Sequence, residues 1–252
     1  MNQEQNNENK TKVYLIGAGP GDIELLTIKA VSILKQADVV LYDALVNEQC
    51  FLFCKSYVLR INVGKRKDNH SKKQEEINEL LIKHASSGKV VVRLKGGTPF
   101  VFGRGYEEVR ALENAGFEPV VISGVSATTS VPESFMIPLI DRKFNDSYRT
   151  ITGHDIKIFD EIVTTYHKRE NLVIMMGVHN LKKITLNLLE KGFPSDLPLA
   201  ILSKGTTFDA SIMNSTLKEI SDQDDNFFNK IKELTPAMIF IGYTVNASDS
   251  FN

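Results

Sequence analysis

The chain has 252 residues, 42% of them hydrophobic and 24% charged, which suits one or two globular α/β domains with a sizeable core. Its 30 basic and 31 acidic side chains leave a formal net charge of −1, which argues against a chain built to coat nucleic acid or an anionic membrane. No apolar run approaches the roughly 20 residues needed to span a bilayer. The expectation is a cytoplasmic protein with no membrane or nucleic-acid partner.

Residues 1–12, rich in Asn, Gln and Glu and without an apolar centre, read as a solvated, disordered tail and not a signal peptide. Residues 13–16 read as a strand, followed by a glycine-rich turn and a helix over about 22–36. Strands are expected at 39–42 and 57–63. Ser71 and Gln74 form a capping box for the next helix. Its Ile77, Leu80, Leu81 and His84 share one face, and Gly88 lies just past its end. Apolar runs at 90–92 and 120–122 suit buried parallel strands. Strands alternating with helices imply βαβ units, a mostly parallel sheet, and ligands at the carboxyl ends of the strands.

A second set of elements follows: strands at 148–152, 172–176, 199–202 and 237–241, and a helix over 181–191 that stops at Gly192. The expected architecture is α/β, with two domains over 13–124 and 125–252 and mostly parallel or mixed sheets. The boundary region runs from Gly124 to Arg142, and the active site is expected in the cleft between the domains. Cys50 and Cys54 sit four apart on an expected helix beside Phe51, Leu52 and Phe53. No second Cys or His pair at ligand spacing completes a metal site. They read as two buried thiols in a reducing compartment, and no metal is assigned.

The turn Gly17-Ala18-Gly19-Pro20-Gly21-Asp22 fits either a ligand loop or a tight strand-to-helix turn that merely needs glycine. Asp22 stands where the dinucleotide fingerprint has its third glycine, and Pro20 lacks an amide for a phosphate. Asp43 follows the second strand and allows three readings: a ribose ligand, a general base facing the cleft, or a capping or solvated loop acid. Residues 89–108 are the most informative stretch. There a strand opens into Gly96-Gly97-Thr98-Pro99, and Arg104 then stands between two glycines on a loop, with few structural duties. Residues 60–110 hold 12 Lys or Arg and 6 Asp or Glu. On loops around a cleft that excess would focus a polyanionic small molecule; otherwise it is a solvated face.

These residues resemble the uroporphyrinogen-III C-methyltransferases, a family of S-adenosylmethionine-dependent tetrapyrrole methylases. The resemblance runs through 13–22, 24–30, 40–46, 63–66, 74–78 and 93–108. It continues in Ile137-Pro138-Leu139, Thr152-Gly153-His154 and Met176-Gly177, so it covers nearly everything after the tail. It implies two α/β domains, usually as a homodimer, with S-adenosylmethionine folded into the cleft as methyl donor and no metal. The implied reaction is two methyl transfers onto carbons of rings A and B. These carry uroporphyrinogen III through precorrin-1 to precorrin-2, in sirohaem- or cobalamin-type biosynthesis. By motif match, Asp43 takes the place of the proton acceptor and Lys65 that of the proton donor. Pro20, Gly96, Gly97, Thr98, Val101, Ser126, Ala127, Met176 and Gly205 fall at cofactor-contacting positions. Arg104, Glu107 and Arg142 match positions that hold the tetrapyrrole, whose many carboxylates suit bidentate guanidinium anchors.

The chain departs from the family at Thr98, usually Asp, at Tyr106, usually Gly, and at Ala44, usually Arg. Its Ile140-Asp141-Arg142-Lys143 keeps only the arginine of the usual Thr-His-Arg-Asp. The length leaves no room for a fused dehydrogenase or chelatase domain. Two other readings stay open. Residues 17–21 with Asp43 would suit an NAD(P)-type oxidoreductase, against which Asp22 and Pro20 argue. A non-catalytic binding relative would have kept the cleft while Thr98, Tyr106 and Ala44 disabled turnover. An RNA-methylating relative is argued against by the neutral charge and the lack of a basic domain.

Overall fold

The computed structural model describes residues 12–64 and 74–251. The capping residue Ser71 and the expected proton donor Lys65 lie outside the described residues. The chain divides into two compact units, one ending at Ala127 and the other beginning at Thr128.

The first unit comprises β1 (Val13–Gly17), α1 (Ile28–Leu34), β2 (Val39–Tyr42), β3 (Leu59–Asn62), α2 (Gln74–Ala85), β4 (Val91–Lys95), α3 (Gly105–Asn114) and β5 (Val120–Ile122). Its sheet has the order β3-β2-β4-β1-β5, and every neighbouring pair is parallel. Strand alternation sorts the core onto two faces. Val13, Leu15, Val39, Leu41 and Val91 pack against Ile77, Leu81, Val109 and Leu112 of α2 and α3. Ile16, Val40, Val92 and Leu94 face Ala30 and Leu34 of α1 together with Cys50 and Phe51. A sheet covered on both faces needs near-continuous apolar strands, as the runs at 13–16, 39–42 and 90–92 foretell. Ile77, Leu81 and Ala85 bury one stripe of α2, and Gly88 takes a φ of +75° beyond its end.

The helix expected over 22–36 is instead two pieces. A 3-10 turn covers Ile23–Leu25, its Glu24 amide capped by Asp22, and Leu26 is extended. Thr27 then caps Ala30 and starts α1. Thr27 is the kind of N-cap residue that marks such a restart. The helix expected around the cysteines is a 3-10 helix, Glu48–Phe53, with Cys50 buried, Cys54 half-buried and both free. Burial pushes the Cys50 thiol up to about 11, which makes it unreactive.

The second unit follows α4 (Ala127–Ser134) with β6 (Ser147–Thr152), α5 (Ile156–Ile162), β7 (Glu170–Met175), α6 (Leu181–Glu190), β8 (Pro198–Ser203), β9 (Ser211–Thr216), α7 (Leu217–Ser221), α8 (Asp225–Lys232) and β10 (Ala237–Ile241). The sheet order is β6-β7-β10-β8-β9. Only β6 and β7 pair in parallel; the other three pairs are antiparallel. This sheet is therefore mixed, and β9 is an additional strand. Its alternating, half-polar Ser-Ile-Met-Asn-Ser-Thr and its edge position gave a weak apolar signal. α6 ends where Gly192 turns left-handed, at φ +79°. Among the described residues, no helix is long and apolar enough to cross a membrane.

Candidate active site

The carboxyl ends of β1, β4 and β5 meet backbone to backbone. A Cβ on Gly17 would stand 2.5 Å from both the Gly124 nitrogen and the Gly97 oxygen, and one on Gly124 would stand 2.2 Å from that same oxygen. Gly19 donates to the Gly97 carbonyl at 3.1 Å and accepts from the Gly97 amide at 2.7 Å, while Ala18 donates to the Lys95 carbonyl. The amides of the first loop are thus engaged by the neighbouring strand end, and Pro20 has none. α1 begins only at Ile28, so no helix N-terminus faces this loop. The glycines here serve close packing, and a phosphate cradle is not built. That removes the geometry an NAD(P) site needs.

Gly96 differs from its neighbours, because a Cβ there would meet only Leu45 Cβ, at 3.8 Å. Gly97, at φ +64°, turns the chain out of β4. Gly96, Gly97 and half-buried Thr98 therefore leave an open surface at the sheet's carboxyl edge, where Pro20, Ser126 and Ala127 end neighbouring strands. Such a lip fits an extended, uncharged-backed ligand such as the nucleoside and amino acid parts of S-adenosylmethionine. Thr98 offers a hydroxyl where a carboxylate would add charge to the contact with an ammonium.

Asp43 follows β2, and its amide donates to the Leu94 carbonyl at 3.2 Å. Its side chain is 31% exposed, but three buried charged groups stand behind it. Arg93 Nη2 contacts Asp43 Oδ1, Arg93 Nε donates to Glu108 Oε1 at 2.9 Å, and Nη1 reaches the carbonyls of Leu94 at 3.1 Å and Leu41 at 3.5 Å. Lys95 Nζ donates to Glu108 Oε1 at 3.1 Å and lies 3.9 Å from Asp43 Oδ2. Gln74 Nε2 also reaches Glu108 Oε1, at 3.3 Å. Glu108 Oε2 has no hydrogen-bond partner among the described residues. Two cations thus balance two acids under the sheet edge, as buried charges require. Burial draws Arg93 down, but Glu108 and Asp43 outweigh it and hold the guanidinium charged. Burial, and then the neighbouring Arg93, push the Lys95 amine below the ordinary lysine range.

Arg104 is set by a wrapped loop. Gly105 donates to the Pro99 carbonyl at 3.2 Å, and a Cβ on Gly103 or Gly105 would stand within 2.7 Å of that oxygen. Phe102 and Arg104 take left-handed φ values of +53° and +55°, unusual for residues with side chains. The Arg104 guanidinium forks onto Glu107, at 2.8 and 2.7 Å, with both side chains more than half exposed. That contact lowers the Glu107 carboxyl. Tyr106 meets Phe100 edge to face, with ring centroids 5.9 Å apart. Val101 is exposed on the same loop.

Three site positions lie in the second unit. Met176 follows β7 at φ +56° and is 47% exposed, a left-handed bulky residue at a strand end. Gly205 needs no ligand to explain it, since a Cβ would fall 2.4 Å from Val131 Cγ1. Arg142 is exposed on a loop held by buried Asn145, which donates to the carbonyls of Leu139 and Ser147 at 2.8 Å and accepts from the Asp141 amide. Arg169 Nη2 donates to the Arg142 carbonyl at 2.9 Å. A shallow hollow lined by Asp146, Ser147 and 166–170 holds none of the candidate residues.

A family model described as tetrapyrrole (corrin/porphyrin) methylases matches residues 12–221. The chain belongs to the tetrapyrrole methylase family. It is 41% identical over 242 residues to a uroporphyrinogen-III C-methyltransferase of Methanocaldococcus jannaschii, covering 95% of this chain and 98% of that one. It is 40% identical to a siroheme synthase of Acinetobacter baylyi over 94% of this chain, but spans only 51% of that longer protein. A solved uroporphyrin-III C-methyl transferase of Thermus thermophilus, complexed with S-adenyl homocysteine, is 33% identical with a TM-score of 0.75. That match covers 94% of this methylase and 99% of the other. A cobalt precorrin-4 methyltransferase, 23% identical at a TM-score of 0.77, shares the fold.

The methylase's buried set of Arg93, Lys95 and Glu108 escaped sequence reasoning. A signal was present: Val-Val-Val-Arg-Leu-Lys reads as a fully buried strand, yet carries two cations on one face. An acid on the apolar face of the next helix was their natural counter-charge.

Proposed function

We propose that the chain is a uroporphyrinogen-III C-methyltransferase, which methylates rings A and B of uroporphyrinogen III from S-adenosylmethionine and gives precorrin-2 through precorrin-1. The observation that carries this reading is the 41% identity to an enzyme of that activity, with near-complete coverage of both chains. The siroheme synthases it also matches are about twice its length, so only the methylating part of their chemistry is carried over.

When bound, S-adenosylmethionine supplies an electrophilic methyl group on a sulfonium. Pro20, Gly96, Gly97, Thr98, Val101, Ser126 and Ala127 are the positions of the first unit assigned to hold it. Met176 and Gly205 are those of the second. Arg104 and Arg142 bind propionate or acetate groups of the macrocycle, and Glu107 accepts from pyrrole N–H groups. Holding the electron-rich pyrrole carbon at attack distance supplies much of the rate. Asp43 takes up the proton that each C-methylation releases, and Lys65 is assigned the donor role. The chemistry calls for no metal. The resemblance further supports a homodimer in the cytoplasm.

Incubation with uroporphyrinogen III and methyl-labelled S-adenosylmethionine tests the reading. Label in the tetrapyrrole is expected. Binding of both compounds with no transferred label would instead favour a non-catalytic relative disabled at Thr98, Tyr106 or Ala44. Tight nicotinamide binding without S-adenosylmethionine binding would favour the oxidoreductase.

A further inference from the structure

We propose that Arg93, braced by Glu108, is a positioning residue that aims the Asp43 carboxylate and returns it to the ionised form between the two methyl transfers. The inference rests on Asp43 being the proton acceptor and assigns a purpose to charges buried behind it.

Arg93 is 2% exposed and held from several sides. Its Nε is fixed by Glu108, its Nη1 by the Leu94 and Leu41 carbonyls of adjacent strands, and its Nη2 meets Asp43. The Leu94 carbonyl also receives the Asp43 amide, so one oxygen fixes both the base's backbone and the group that orients its side chain. A planar fork gripped in this way gives the carboxylate one orientation. Asp43 is the only member of the set with substantial exposure, so the assembly opens to solvent through the acid alone. Glu108 stands in the first turn of α3, directly after Glu107 and four residues after Arg104. The same network therefore ties the base to the helix that carries the expected substrate anchors.

The charges facing Asp43 among the described residues are Arg93 and Lys95 from β4, with Glu108 from α3 behind them. Lys95 also acts on Glu107, and Glu75 and Glu108 act on Arg104. Once Asp43 gains a proton, Arg93 and Lys95 face one carboxylate instead of two. That imbalance favours loss of the proton to solvent and readies the acid for the second transfer.

The test compares single-turnover methylation against pH in Arg93→Gln, Arg93→Lys and Asp43→Asn, with S-adenosylhomocysteine affinity measured by calorimetry. Arg93→Gln should slow transfer by roughly 10- to 100-fold and move the acid limb of the rate profile up by about one pH unit. Affinity for S-adenosylhomocysteine should change by less than about threefold. Arg93→Lys keeps the charge without the fork, so its limb should return toward the wild-type position while its rate recovers only in part. Because Arg93→Gln leaves Glu108 with Lys95 alone, Arg93→Gln/Glu108→Gln, which removes one charge of each sign, is measured beside it and should show the same upward shift. An unmoved limb in both glutamine variants, whatever the rate, would overturn the positioning role and leave Asp43 as the base. An Asp43→Asn enzyme that kept the wild-type rate and limb would instead remove the base assignment on which the inference rests.

Discussion

Gly19 and Gly97 exchange two backbone hydrogen bonds and lock the loop after β1 to the loop after β4. The exchange brings strand ends close enough that Gly17 has no room for a side chain. Gly17→Ala should therefore destabilise the first unit by roughly 3 kcal/mol or more, since the obstructing atoms are backbone. Gly88→Ala, at φ +75° but in open space, should cost only about 1 kcal/mol. Urea unfolding of the two variants checks the contrast, and equal losses would show that the strand ends have slack.

Asp43→Asn should lower turnover by about 10²- to 10⁴-fold, the usual span for a general base. Cofactor affinity should stay near that of the parent enzyme, because the amide keeps the shape and only the proton-accepting capacity is lost. A large affinity loss with a modest change in turnover would return Asp43 to the ribose-binding reading.

Arg104→Ala and Arg142→Ala should each raise KM for the tetrapyrrole by about tenfold and flatten its dependence on salt. Arg104 already has Glu107 as a partner, so its gain on binding is a carboxylate exchanged for a carboxylate. Its effect should therefore be the smaller of the two. Loss of cofactor binding alone in both variants would contradict their role as anion anchors.

Asp38 joins three strands at the opposite edge of the sheet. Its Oδ2 accepts from the Val90 amide at 2.9 Å, its Oδ1 from Lys55 at 2.7 Å, and its carbonyl from the Leu59 amide at 3.0 Å. The Lys55 bond first, and then the Val90 amide, hold its carboxyl below the usual 3.8. A depressed folded-state value stabilises fully above the unfolded value and is lost as pH falls through the folded one. Asp38→Asn should thus lower the melting temperature at pH 7, and the gap should close below about pH 4. A gap independent of pH would exclude a role for the charge.

Much of this fold was legible because burial on both faces forces apolar strands, and α6 carries both its stripe and its terminal Gly192. The split of 22–36 was not, since Thr27 on an otherwise helical pattern leaves a local choice that packing decides. The mixed second sheet was also hidden, because strand direction depends on connections and not on the composition of β8 or β10. At the site, Asp43 and Arg104 stood out by position, at a strand end and between glycines. Arg93 and Lys95 were read as part of a basic excess, yet both are buried and neutralised by Glu108. Charge counts along a chain do not say which charges meet.

The number and position of methyl groups on the product test the central assignment most directly. After incubation of uroporphyrinogen III with ¹³C-methyl S-adenosylmethionine, carbon NMR should show two enriched methyl carbons, one each on rings A and B. An unlabelled macrocycle, or label on any other ring or on nitrogen, would contradict it.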